Sequence, residues 1–270
     1  QSFYTLDEAF LDFGPRAKEK ALQLGFDFEP MRAAAQRVYD GLKSLSPELF
    51  FRLLTPADLS YAVTRMLRSE PLIAEALRFR AAIASTYMAE LRGALSAVKS
   101  HIEMIPIAFP PPLSLLTGID FGEYAKVSDA IMIKFFTMHW PLIVTYWAEQ
   151  LLQLNPELDE SSVVRAVSMA FDFEDGDYGN SIADYAYPSP NQAHRAGSEA
   201  CVRKIRQAST DTGGDVPVLP SVHGYGPLED VTRRFKIGWN EGSSGMWINR
   251  YGYLSDEKLE MLKRLVKSGG

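Results

Sequence analysis

From residue 102 onward the chain repeats one alternation four times: a short apolar run, then a segment with helical periodicity. The runs are Ile102 to Phe109, Ala130 to Phe136, Val216 to Val222 and Gly245 to Asn249. The helical segments are Pro141 to Leu154, Ser161 to Phe171, Gln192 to Ser209, Leu228 to Asn240 and Ser255 to Lys267. Strands joined through helices pair in parallel, because only a long crossover returns the chain to start the next strand in the same direction. The runs carry little charge, as expected of strands covered on both faces. The expected class is α/β, a parallel sheet with helices on its outside.

Two architectures meet that pattern, a (β/α)8 TIM-type barrel and an open doubly wound sheet. No strand is followed by G-x-G-x-x-G or by a Walker loop, which favours the barrel. A complete barrel needs eight strands, and this chain offers four, with Ser2 to Thr5 a weak fifth. An isolated parallel half-sheet leaves two edges unpaired. The expectation is therefore the C-terminal half of a barrel, four parallel βα units over 101–270, preceded by a helical excursion over 1–100. The chain starts at Gln1 rather than Met, so a removed upstream segment is expected, and if the chain begins just after strand four, Ile102, Ala130, Val216 and Gly245 begin strands five to eight.

The first hundred residues read as helices. Leu6, Ala9, Phe10 and Phe13 recur at three- and four-residue spacing, as do Met31, Ala34, Ala35, Val38 and Leu42. Thr55 and Pro56 suit the start of another helix, and Ile73 to Val98 mark a long amphipathic one. The stretch Ala130 to Trp147 is interrupted by Lys134, His139 and Pro141, and reads as a strand and a helix rather than a membrane span. Gln1 to Asp12 has neither the basic region nor the apolar run of a signal peptide.

Composition narrows the partners. With 28 Lys plus Arg against 34 Asp plus Glu the net charge is −6, which argues against a nucleic-acid groove. A hydrophobic content of 46% supports a large core. The single cysteine, Cys201, permits no internal disulfide and leans toward a reducing compartment, with the location left open.

The segments Ile107-Ala108-Phe109-Pro110-Pro111-Pro112, Asp129 to Phe136, and Gly245-Met246-Trp247-Ile248-Asn249-Arg250-Tyr251-Gly252 resemble the C-terminal βα repeats of barrel-fold glycoside hydrolases. The resemblance covers roughly the last 170 residues and implies a carbohydrate substrate and no cofactor. Glycosidases use two carboxylates flanking the scissile bond. In many barrel members these end strands four and seven. The third run here ends Pro220-Ser221-Val222-His223-Gly224-Tyr225 without an acid, so the resemblance implies acids upstream of this chain, a different chemistry, or an inactive relative.

Barrel enzymes place their chemistry at the C-terminal ends of strands. Lys134 and His223 are the candidate catalytic residues there: a lysine near the barrel mouth to hold an anion or a hydroxyl, and a histidine as acid, base or donor. His139, Trp140, Tyr225, Asn249 and Tyr251 are the candidate substrate-binding residues, supplying rings for stacking and polar tips for hydroxyls. Arg250 equally suits a structural ion pair. Glu174-Asp175-Gly176-Asp177 lacks calcium-loop spacing and reads as a solvated turn. Asp120 suits a helix cap, and His101 and His194 suit structural roles. The histidines are too scattered for a zinc motif, and Cys201 has no thiol neighbour. Three readings follow: a glycoside-hydrolase-like enzyme, a non-catalytic sugar-binding or structural module, and a barrel lyase or aldolase using Lys134 as a Schiff base.

Overall fold

In a computed structural model, which describes residues 5–10, 13–52, 54, 56–99 and 101–268, the four runs form one parallel sheet in sequence order. Six helices come first: α1 (Leu6–Ala9), α2 (Pro15–Gln23), α3 (Phe28–Leu42), α4 (Pro47–Arg52), α5 (Pro56–Ser69) and α6 (Leu72–Val98). Then follow β1 (Ile107–Ala108), α7 (Leu113–Leu116), α8 (Phe121–Ala125), β2 (Ile131–Phe135), α9 (Trp140–Leu154), α10 (Glu160–Phe171) and α11 (Ser198–Asp211). The chain closes with β3 (Val218–His223), α12 (Leu228–Glu241), β4 (Trp247–Asn249) and α13 (Asp256–Ser268). The mixed, helix-rich α/β class with a parallel sheet is as expected.

Several boundaries differ from expectation, each for a local reason. The first strand is two residues rather than eight, because Pro106 has no N–H and Met104 N donates to the Asp129 carboxylate instead of to a strand. The helix expected from Gln192 begins at Ser198, where the Asp175 carboxylate accepts from Glu199 N and Ala200 N. Of the weak fifth strand, Ser2 to Tyr4 lie outside the described residues, and Thr5 caps α1. The proposed cap Thr55 also lies outside them. Asp120 and Asp159 do cap their helices, accepting from Glu123 N and Ser162 N.

Register divides the sheet into two faces. Ile131, Ile133 and Phe135 of β2 align with Val218, Pro220 and Val222 of β3 and are buried, as is Ala108 of β1, beneath the helical layer. The other face carries Ile107, Met132 and Leu219 in one row, Lys134, Ser221 and Trp247 in a second, and His223 and Asn249 in a third. Ile107 is 62% exposed and Trp247 49%, so among the described residues this face is uncovered at both sides. β1 and β4 each pair along one edge only.

The N-terminal helices dock outside the helical layer. α6 packs on α7 and α8, and α1 on α9. Arg92 of α6 donates to Ile102 O and ion-pairs with Asp129. Asn155, just after α9, binds Leu42 O and Leu45 N. No described helix is long and apolar enough to cross a membrane.

Candidate functional site

The C-terminal ends of β2, β3 and β4 lie side by side, and the side chains leaving them gather into one cluster of rings and nitrogens. Lys134 stands on the uncovered face, half-buried, with Nζ 5.1 Å from the Phe109 ring centre and 5.0 Å from that of Phe136. Two aromatic faces take the place of a carboxylate partner. Burial alone pulls its ammonium below the ordinary lysine range.

Two imidazoles flank the Phe136 ring, His139 at 6.1 Å and His223 at 5.3 Å, both edge-on. His223 is 4% exposed, and burial first, then the charges of Arg234 and Arg250, hold its pKa down at about 4. His139 is lowered by burial and then by the Lys134 charge. His223 Nδ1 accepts from Tyr225 N at 3.0 Å, which places the proton of the neutral ring on Nε2. At pH 7 His223 is therefore a neutral hydrogen-bond donor.

Tyrosines complete the cluster. Tyr225 lies 5.7 Å from Tyr187 and 5.4 Å from Tyr253, and Tyr187 reaches His139 at 5.9 Å. The Tyr225 hydroxyl donates to Pro188 O, tying the loop that carries Tyr187 to the strand end. Asn249 is in register with His223, and its Oδ1 is buried without a hydrogen-bond partner. A buried amide oxygen without a donor costs about 1–3 kcal/mol, so Asn249 leaves one unsatisfied acceptor beside the strand ends.

The backbone beneath the cluster is gripped by two cations. Arg234 of α12 donates to His223 O and Tyr225 O, while Lys258 of α13 donates to Gly224 O and Gly226 O. Four consecutive carbonyls are thus held alternately from two helices. Gly226 sits at φ +106°, and a Cβ there would lie 3.2 Å from His194 Nε2. Arg234 is itself held by the buried carboxylate of Asp230 at 2.9 Å.

Of the residues expected from sequence, Lys134, His139, His223, Tyr225 and Asn249 come together. Trp140 and Tyr251 do not. Trp140 is 3% exposed, stacked on Phe173 at 5.0 Å on the helix side of the sheet, with the Lys204 ammonium over its ring. It starts α9, and its side chain turns inward with the apolar stripe of that helix. Tyr251 is 77% exposed, and Tyr253, two residues on, takes the place in the cluster. Phe136 and Tyr187 were also missed. Two-residue alternation from Lys134 would have found Phe136. Tyr187 comes from a loop between α10 and α11, and no local signal marks it.

Glu174 is not part of a solvated turn. It is buried, accepts from Ser168 Oγ and Tyr185 OH, and ion-pairs with Arg195. His194 lies in a loop rather than inside a helix, bonded through Nδ1 to Thr137 Oγ1 at 2.7 Å and stacked on Tyr225, with burial pushing its pKa down to about 3. Cys201 is buried and its thiol is pushed up to about 12.

No family model matches this sequence, and neither a curated protein nor a solved structure is significantly similar to it.

Proposed function

We propose that this sheet is the C-terminal half of a (β/α)8 barrel, and that the cluster at its strand ends is one wall of a carbohydrate site in a glycoside-hydrolase-like enzyme. The half-barrel reading is supported by a sheet face exposed at its two sides, at Ile107 and Trp247, and by two edges unpaired among the described residues, since parallel sheets otherwise bury both faces. The observation that carries the functional reading is the cluster itself: Phe136, Tyr187, Tyr225 and Tyr253 around neutral His139 and His223, beside Lys134 and the unsatisfied buried acceptor of Asn249. Aromatic faces suit the C–H faces of a sugar ring. Neutral donors and acceptors suit its hydroxyls, which carry no charge to be matched.

Among the described residues the cluster contains no carboxylate. Asp230 behind it is spent on Arg233 and Arg234, and Glu174 on Arg195. Glycosidic cleavage needs an acid and a base or nucleophile, so on this reading both come from the other half of the barrel, and this half binds and orients. Lys134 and His223 then act as donors to substrate oxygens. No cofactor is called for.

A glycan array probed with the chain tests the binding role. Retained signals that disappear in Tyr253→Ala and His223→Ala support it, and an array without signal removes it. Turnover of aryl glycosides by a polypeptide that includes the upstream segment distinguishes an enzyme from a binding module.

One observation favours a second reading. Lys134 is desolvated and has no acidic partner among the described residues, the condition under which a lysine amine becomes nucleophilic. A lyase or aldolase would form an imine there, with loss of water from the carbonyl substrate. Borohydride trapping of a carbonyl compound on Lys134 would replace the hydrolase reading with this one.

A further inference from the structure

A cavity lies among the N-terminal helices, away from the strand ends. It measures about 570 Å³ and is walled by α2, α3 and α6, with Trp147 of α9 at one side. Its lining is mostly hydrocarbon and aromatic, including Phe13, Val38, Phe79 and Ile83, and the volume falls within the range of small-molecule sites. Leu77 and Met66 on the same wall are 40% and 36% exposed, so apolar surface stands open to water there.

The polar groups on this wall are cationic. Arg16 and Lys20 stand one helical turn apart on α2, both on the cavity, and among the described residues neither has a carboxylate partner. Lys18, between them in sequence and off the cavity, is paired with Glu29 at 2.7 Å. Arg80 is also on the lining, but its guanidinium is spent on Leu116 O and Ala9 O. The cavity thus joins an apolar trough to two positive charges that have no carboxylate partner among the described residues.

We propose that this cavity binds a single-chain amphiphile with an anionic head, of the fatty-acid class, with the acyl chain along the apolar wall and the carboxylate between Arg16 and Lys20. Apolar burial supplies most of the affinity, and the two cations select the charged head over a neutral one. This site does not depend on the carbohydrate reading.

Titration of the chain with laurate below its micellar concentration, followed by calorimetry and by tryptophan emission, tests the proposal. One saturable site is expected, with the emission change lost in Trp147→Phe while calorimetric binding remains. Shortening the ligand to decanoate removes two methylenes and should weaken binding roughly fifteenfold, at about fourfold per methylene. Dodecan-1-ol and the Arg16→Glu/Lys20→Glu variant should each weaken binding at least tenfold; Arg16 is exposed and Lys20 half-buried, and a melting curve matching that of the unsubstituted chain checks that the variant is folded. No saturable binding overturns the proposal, as does laurate binding that is indifferent to both charge reversals. A dimer in sedimentation velocity that laurate does not dissociate would also overturn it, by assigning the trough to a second copy of the chain.

Discussion

Replacing Arg234 by Met tests the structural basis of the strand-end cluster. The side chain is 3% exposed and donates to three acceptors: Asp230 Oδ2 at 2.9 Å, His223 O at 2.6 Å and Tyr225 O at 2.5 Å. Methionine fills a similar volume but donates nothing, so packing is largely kept and the loss is polar. Hydrogen bonds to a charged group contribute about 1.5–3 kcal/mol each, and breaking a buried ion pair by removing one partner costs about 3–5 kcal/mol. Asp230 keeps Arg233, which lowers the penalty on the carboxylate. The expected loss is therefore about 3–5 kcal/mol rather than the sum of three full bonds. With a urea slope of about 3 kcal/mol/M, the unfolding midpoint should fall by about 1–1.7 M. The Arg234→Met/Asp230→Leu pair should be less destabilised than the two single variants summed, by about 2 kcal/mol or more, because the double variant leaves neither partner of the Arg234–Asp230 pair buried alone, and Arg233 keeps its bonds to Ala196 O and Ser198 Oγ. A loss under about 1 kcal/mol, or strict additivity, would refute the assignment of Arg234 as the clamp on the His223 to Gly226 backbone.

The histidines set the pH dependence. His223 and His194 have folded pKa values of about 4 and about 3, against 6.5 unfolded, so the unfolded chain binds more protons in between. Stability should be full above pH 6.5 and fall toward pH 4, by about 1.4 kcal/mol per pH unit for each histidine. Urea midpoints measured at pH 7, 6 and 5 check this, and the His194→Gln variant should flatten the slope by about half. Gly238→Ala should destabilise by about 1–3 kcal/mol although alanine favours helices, because its Cβ would lie 2.7 Å from Val222 Cγ2 where α12 crosses β3. Thermal unfolding that finds Gly238→Ala stabilising would contradict that close packing. Asp159→Ala removes the carboxylate that accepts from Ser162 N at the start of α10 and should cost about 1 kcal/mol in the same assay.

The strands most legible in the sequence are the two central ones. β2 and β3 are buried along one face, so their apolar runs carry the signal undiluted. The edge strands are shorter than their runs suggest, since Pro106 interrupts one ladder and Trp247 and Ile248 sit on an open edge. The cluster is legible where a residue leaves a strand with fixed alternation, as Lys134, His223 and Asn249 do. Beyond a strand end that constraint lapses. Trp140 and Tyr251 look equivalent to His139 and Tyr253 in sequence, yet helix α9 turns the first inward and a short 3-10 turn sends the second into solvent. Tyr187 enters from more than thirty residues before β3, through the Tyr225 bond to Pro188 O, and tertiary structure alone reveals it.

The central claim is that the strand ends of β2, β3 and β4 form a carbohydrate-binding wall. An amide and side-chain NMR titration of the chain with gluco-, manno- and galacto-configured oligosaccharides tests it directly. The account predicts saturable shifts confined to Lys134, His139, Tyr187, His223, Tyr225, Asn249 and Tyr253 for at least one sugar. Shifts centred on other residues, or none with any of the sugars, would contradict it.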